Sequence, residues 1–351
     1  MKKVCVIGHF GFGHTLLNGQ TIKTKIIAAE LEKTLPKNVV NIDTHGGVKS
    51  LLKAPFHCLK ALRQCENVVI LPAHKGVRIY APLLVFLRRF FRARKLHYAV
   101  VGGWLPKLLD AQKGLRRSLR RFDCLYAETS TLKRALTERG FHNVEILPNC
   151  KELTIVDPAT VTGEASEPYR LCTFSRVMRE KGIEDAVTAV KAVNETAGRT
   201  VYSLDIYGQV DRGQIEWFDE LQKQFPDYVT YGGEVPFDRS VEALQPYFAL
   251  LFPTRFYTEG IPGTIIDAYA AGVPVVSARW ESFADMIDDG KTGIGYTFGN
   301  VEELTAVLTA CAEHPQTVLD MKPTCLEKAE AYLPHQAIQV LLARMDVRVG
   351  E

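Results

Sequence analysis

The sequence predicts an α/β protein built from two doubly wound parallel sheets. Three observations carry that expectation. Short apolar runs rich in Val and Ile alternate with stretches of helical periodicity, the pattern of parallel sheets covered by helices on both faces. The alternation stops in a polar, turn-rich stretch around 148–168 and then restarts. At 351 residues the chain is also longer than one typical domain.

In the first half, KVCVIG, NVVNID, NVVILPA, HYAVVGG, CLYAE and VEILPN read as strands. GQTIKTKIIAAELEKTL and TLKRALTERGF repeat apolar positions at helical spacing, with Thr131 expected to cap the latter. The second series of strands is YRLCTFS, VYSLDIYG, VTYGG, ALLFPT and PVVSA. Its helices include IEDAVTAVKAVNET, EWFDELQKQF and GTIIDAYAAG. LPHQAIQVLLARMDV follows a proline and reads as a closing helix. The expected organisation is a domain over 1–155, a second over 165–330, and a helix in 331–351 crossing back to the first.

Apolar content of 46% and charged content of 24% are ordinary for a soluble globular protein. MKKVCVIG has a basic start, but its short apolar run meets Gly and His, so no secretory signal is expected. The apolar run IYAPLLVFL is far below the roughly 20 residues of a spanning helix. The eight cysteines show no CxxC pair or metal spacing, and read as buried thiols of a reducing cytosol.

The net charge of +3 hides an asymmetry: 26 Lys and Arg against 9 acids in residues 1–150, then 17 against 31. RRFFRARK (88–95) and KGLRRSLRRF (113–122) hold much of the positive charge. Such runs are either solvated helix faces or a surface that docks on anionic lipid. No nucleic-acid-binding motif accompanies them, so a membrane ranks above nucleic acid.

Ligands of open α/β sheets bind at the carboxyl ends of strands, and two such sheets facing each other would leave a cleft. Three strand-end segments therefore matter. In FYTEGIPGTIIDAYAAGVPVV (256–276), Pro262-Gly263 leads into a helix whose N-terminal N–H groups suit a phosphate. Asp267 lies four residues past Gly263 on the same helix face, and as an acceptor it suits a ribose diol. Glu259, on the loop, is placed to meet sugar hydroxyls. In LCTFSRVMREKGIEDAVTAV, Arg176 and Lys181 follow a strand end and offer a planar fork and a point charge for a diphosphate. Arg179 and Glu180 read as a solvated charge run.

The third segment, GHFGFGHTLLNGQT, is not a GxGxxG fingerprint, yet Gly11, Gly13 and His14 can let backbone approach a sugar. His9, His14 and His74 follow predicted strands, with no acidic partner identifiable for any of them. Gly103 and Trp104, after HYAVV, either line an acceptor pocket or pack in the core.

With those residues in view, the chain resembles family 4 glycosyltransferases. Glu259-x7-Asp267 is similar to their E-x7-E motif, and SRVMREKG resembles their Arg-x4-Lys segment. GHFGFGHTLLNGQTIKTK and GGWLP are closer to bacterial capsular and exopolysaccharide members. The resemblance implies a GT-B fold, a donor nucleotide on the second domain and an acceptor on the first. It implies a retaining reaction that needs no metal or cofactor. Arg176 and Lys181 would hold the donor diphosphate, Glu259 the donor sugar and Asp267 the ribose. Gly260, Ile261, Pro262, Gly263 and Thr264 would supply contacts to sugar and phosphate. Asp267 departs from the motif's second Glu by one methylene.

The resulting expectation is a cytosolic enzyme that transfers sugar from a nucleotide sugar to a lipid-linked glycan. A UDP-sugar is the expected donor, with a GDP-sugar the alternative. The rivals are a glycoside hydrolase using Glu259 and Asp267, a nucleotide-sugar epimerase, and a membrane-docked protein that binds a nucleotide sugar without turnover.

Overall fold

The computed structural model describes residues 1–13, 19–161, 164–345 and 347, the side chains of 48 and 49 excepted. The chain divides into two compact units, Met1–Glu152 with Tyr332–Glu351, and Leu153–Ala331.

Unit one is organised by a parallel sheet of six strands: β1 (Lys2–Gly8), β2 (Val39–Asp43), β3 (Cys65–Ile70), β4 (Lys95–Ala99), β5 (Cys124–Ala127) and β6 (Val144–Ile146). They lie in the order β2-β1-β3-β4-β5-β6. The chain thus winds outward from β1 to β2, then returns and winds the other way from β3. The topological switch falls between β1 and β3. Val4, Cys5, Val6, Ile7, Val68, Val69 and Ile70 are all fully buried, which is why these strands read as continuous apolar runs.

The helix Pro334–Met345 completes this unit. Ala337, Ile338, Leu341, Leu342 and Met345 recur at helical spacing and are buried with Ile27, Ala28 and Leu31 of the helix Gly19–Thr34. The Lys151 N–H donates to the Tyr332 carbonyl at 3.0 Å where the chain re-enters. All eight cysteines are buried and unpaired.

Unit two repeats the plan with β7 (Tyr169–Phe174), β8 (Tyr202–Tyr207), β9 (Val229–Gly233), β10 (Ala249–Phe252), β11 (Val275–Ala278) and β12 (Gly293–Tyr296). Their order is β12-β11-β10-β7-β8-β9, all parallel. Here the switch lies between β7 and β10, and the loops that leave those two strands hold the residues singled out above.

Two sequence expectations need correction. Thr129, not Thr131, caps the helix Ser130–Glu138, accepting from the Leu132 N–H at 3.0 Å. Thr131 sits within the first helical turn. The strand β12 was not anticipated. Among the described residues no helix is long and apolar enough to cross a membrane.

Candidate active site

The site in unit two begins with backbone. After β7 the chain makes a 3-10 turn, Arg179–Lys181, and Gly182 then starts the helix Ile183–Ala197. The loop after β10 is tied to that turn, since the Arg255 N–H donates to the Glu180 carbonyl at 2.8 Å. The Arg255 guanidinium also pairs with buried Asp185, its Nε 2.9 Å from Oδ2. These bonds fix the two strand-end loops side by side.

At their meeting point Lys181 Nζ donates to Glu259 Oε2 at 2.7 Å, and Thr254 Oγ1 donates to the same oxygen at 3.1 Å. The side chains of Lys181 and Glu259 are only 16% and 20% exposed. The ammonium lies 5.5 Å and 5.2 Å from the ring centres of Phe252 and Phe256, within the range of a cation–π contact. An ammonium has three donors, so one bond to Glu259 leaves two for another anion.

The helix Gly263–Ala270 presents its N-terminus from the same loop. Its cap, Pro262, has no side chain to satisfy the first N–H groups. Among the described residues the Thr264 Oγ1 is buried and meets no hydrogen-bond partner. A helix N-terminus without a side-chain cap, its dipole and an unsatisfied hydroxyl together suit a phosphate oxygen.

The other two residues are less closely drawn in. Arg176 leaves β7 but turns toward the end of β8, with Nη1 3.5 Å from Asp211 Oδ2, and it is 53% exposed. Asp267 rides on the Gly263 helix and is buried, at 3% exposure. Gly260 and Ile261 lie in the connecting loop, with Ile261 buried.

Glu180 is not the freely solvated acid that the sequence suggested. It accepts from Gln214 Nε2 at 2.9 Å, and that bond, with its own backbone amide, holds the carboxyl below the usual carboxylate range. Arg179 lies over the Trp217 ring at 5.1 Å.

Unit one gathers polar groups at its own strand ends. Asp43, at the end of β2, accepts from the N–H groups of Phe10, Phe12 and His45 at 2.9, 3.0 and 2.8 Å. Burial raises its pKa, but these amides and that of Gly11 outweigh it and hold the carboxyl low. Asp43 therefore shapes the glycine loop, in which Gly11 and Gly13 take positive φ of 60° and 82°. His14 lies outside the described residues. His9 bonds Thr21 Oγ1 at 2.7 Å and His45 Nδ1 at 3.0 Å. Burial and the neighbouring His45 push its pKa down.

Trp104 packs against the core of this unit, stacks on His74 at 3.8 Å and donates to the Val101 carbonyl. Gly103 lies beside it. Beneath that loop, Lys23 and Glu128 form a buried ion pair at 2.6 Å, and Glu128 Oε2 also accepts the Gly102 N–H at 2.9 Å. Sequence reasoning missed Thr254, Asp43, Lys23 and Glu128. An acid closing a Val-rich strand was a usable signal for Asp43.

The two sheets define the GT-B glycosyltransferase fold, and similar proteins fall in that class. Residues 168–314 match the family model described as "Glycosyl transferases group 1". The crystal structure of Anabaena Alr3699/HepE with UDP aligns at a TM-score of 0.76 and 14% identity, over 99% of this chain and 100% of that one. The Anabaena protein has also been solved with UDP-glucose. The GtfA subunit of a UDP-N-acetylglucosamine–peptide N-acetylglucosaminyltransferase from Streptococcus gordonii is 27% identical over 182 residues, 49% of this chain and 33% of its own length. The amylovoran biosynthesis glycosyltransferase AmsK of Erwinia amylovora is 22% identical over 187 residues, 51% of this chain and 46% of its own. The chain spans less than half the length of either curated relative.

Proposed function

We propose that the chain is a retaining, metal-independent hexosyltransferase of the family 4 type. It moves a sugar from a nucleotide diphosphate sugar, a UDP-sugar first, to a lipid-linked or growing polysaccharide acceptor. The process served is capsule, exopolysaccharide or lipopolysaccharide synthesis, at the inner face of the plasma membrane. The basic segments 88–95 and 113–122 are the membrane-facing part. The observation that carries the reading is the Lys181–Glu259–Thr254 cluster beside the uncapped Gly263 helix, at the switch point of the second sheet. UDP and UDP-glucose in the solved Anabaena protein support the choice of donor.

In this reading Lys181 and the amides of the Gly263 helix meet the charge that builds on the departing diphosphate, with Arg176 reaching it from the β8 side. Fixed positive groups supply there what a metal would otherwise supply. Glu259 holds a sugar hydroxyl while steadying Lys181, and Asp267 receives the ribose. The phosphate oxygen released by the sugar accepts the acceptor's proton, so no separate base is required. The loops of Gly11, Gly13, Gly103 and Trp104 are assigned to the acceptor. A glycosidase would need Glu259 and Asp267 as two accessible carboxylates, but Glu259 is bonded to Lys181 and Asp267 is buried.

A screen of nucleotide sugars for slow hydrolysis tests the reading without knowledge of the acceptor. One donor should be split to free sugar and nucleoside diphosphate, and Glu259→Gln should suppress it. Cleavage of a labelled disaccharide without nucleotide sugar would replace this reading with a hydrolase. Conversion of the donor to its epimer would replace it with an epimerase.

Thr264→Val separates binding from folding. Its orphan hydroxyl contributes no internal bond, so thermal stability should hold or rise slightly. UDP affinity measured by calorimetry should fall about tenfold, the scale of one hydrogen bond to a charged group. Unchanged affinity would remove Thr264 from the phosphate site.

A further inference from the structure

The two basic runs, remote in sequence, supply one place in the fold. The helix His74–Leu87 runs into the 3-10 turn Arg88–Phe90 and packs against the helix Lys113–Leu119. Near their junction Val85, Arg88, Arg89, Arg92 and Arg121 line a cavity of about 470 Å³.

Much of the nearby positive charge is already committed. Arg88 pairs with Asp123 at 2.7 Å, and Arg94 Nε donates to the Leu62 carbonyl at 3.0 Å. Arg116 and Arg120 both donate to the Arg139 carbonyl. Arg89, Arg92 and Arg121 are different: they are exposed, and among the described residues no acceptor lies against their guanidinium groups. Among the described residues, three of the cations in these runs that meet no acceptor thus stand around one cavity.

Beside them stand two apolar rings. Phe86 is 49% exposed and Phe90 74%, in an edge-on contact at 6.5 Å. Arg89 lies 4.8 Å over the Phe86 ring. One face of the Phe86 ring is taken by Arg89, and the two rings meet at a steep angle rather than forming a flat stacking surface. A free anion would account for the arginines but leave both rings in water. A bilayer surface satisfies both, because phosphates lie at headgroup level and apolar side chains enter the boundary beneath.

We propose that this corner is a membrane-docking site. Arg89, Arg92 and Arg121 bind the headgroup phosphates of an anionic bilayer, with Phe86 and Phe90 inserted next to them. The proposal rests on the membrane-facing reading above and gives it particular residues.

Sedimentation with vesicles tests it. The full chain should pellet with vesicles containing phosphatidylglycerol and stay free with phosphatidylcholine alone. The variant Arg89→Gln/Arg92→Gln/Arg121→Gln should lose about a hundredfold in vesicle affinity. Phe86→Ser/Phe90→Ser should lose about tenfold or more. A charge-matched control, Lys191→Gln/Lys223→Gln/Arg239→Gln, removes three cations of unit two and should bind like the wild type. Hydrolysis of UDP-glucose should be equal in all four proteins, which reports folding and keeps the donor site out of the comparison.

If the wild type pellets and the arginine variant pellets equally well, this corner is not the site although the chain meets membranes. If the wild type never pellets, both the membrane reading and the proposal fall. If the arginine variant loses affinity but the phenylalanine variant does not, and inorganic phosphate releases the protein, the cavity is a free-anion site and the docking proposal is wrong. Preferential capture of a single-stranded oligonucleotide through the same arginines would overturn it too.

Discussion

Substitution of Lys181 by methionine is expected to lower turnover of the nucleotide sugar by about 10²- to 10³-fold, the cost of removing one preorganised charge from a developing oxyanion. Methionine keeps the unbranched stem beside Phe252 and Phe256, so the change isolates the ammonium. The loss should fall on kcat more than on KM, because the diphosphate gains charge as the sugar leaves. Arginine should not restore the rate, since its planar fork is wider than the point charge held between two rings. The variant also leaves Glu259 with only Thr254, in a setting where its side chain is 20% exposed. A stability loss of about 1–3 kcal/mol follows from a half-buried carboxylate deprived of its cation. The double variant Lys181→Met/Glu259→Gln should recover part of that stability, as no unpaired charge then remains, without recovering turnover. Rates and melting curves for the three variants check each statement. Turnover within a few-fold of the wild type would detach Lys181 from the chemistry.

Lys181 and Glu259 were readable because both follow short apolar strands, Leu171-Cys172 within β7 and Ala249-Leu250-Leu251-Phe252 of β10, that are buried. Polar residues just past such strands are where a doubly wound sheet places its ligands. Their direct pairing was not readable, since 78 positions separate them and only the switch between β7 and β10 makes the loops neighbours. Lys23 and Glu128 show the limit more sharply. They lie 105 positions apart, and each occurs where an exposed charge would be the ordinary reading. β12 was hidden for a local reason: Gly293-Ile294-Gly295-Tyr296 places two glycines, which are depleted in strands, in four positions. The basic runs were visible as charge, but sequence could not distinguish Arg120, held by the Arg139 carbonyl, from Arg121, whose guanidinium meets no acceptor among the described residues. That distinction depends on backbone carbonyls, which carry no residue signature.

Gly182→Ala is expected to be among the most damaging single methyls in unit two. Gly182 has φ of +69°, a region that costs other residues roughly 1–2 kcal/mol. A Cβ there would also sit 1.9 Å from the Pro253 carbonyl oxygen and 3.0 Å from the Pro253 Cβ. The carbonyl belongs to backbone at the end of β10, so no rotamer can relieve the overlap. Overpacking of this kind adds roughly 1–3 kcal/mol. Unit two should therefore lose about 2–5 kcal/mol, on the order of 10 °C in melting temperature for a domain of its size. Gly198→Ala is the matched control, because its φ is +65° and nothing lies within 4 Å of the added carbon. It should show the backbone term alone, about 1–2 kcal/mol. The excess in Gly182→Ala is the clash. To relieve it the ends of β7 and β10 must separate, and they carry Lys181 on one side and Glu259 on the other. UDP affinity in the folded fraction should consequently fall in Gly182→Ala and stay unchanged in Gly198→Ala. Equal melting temperatures for the two variants would mean that the close approach of these strand ends does not hold the loops together.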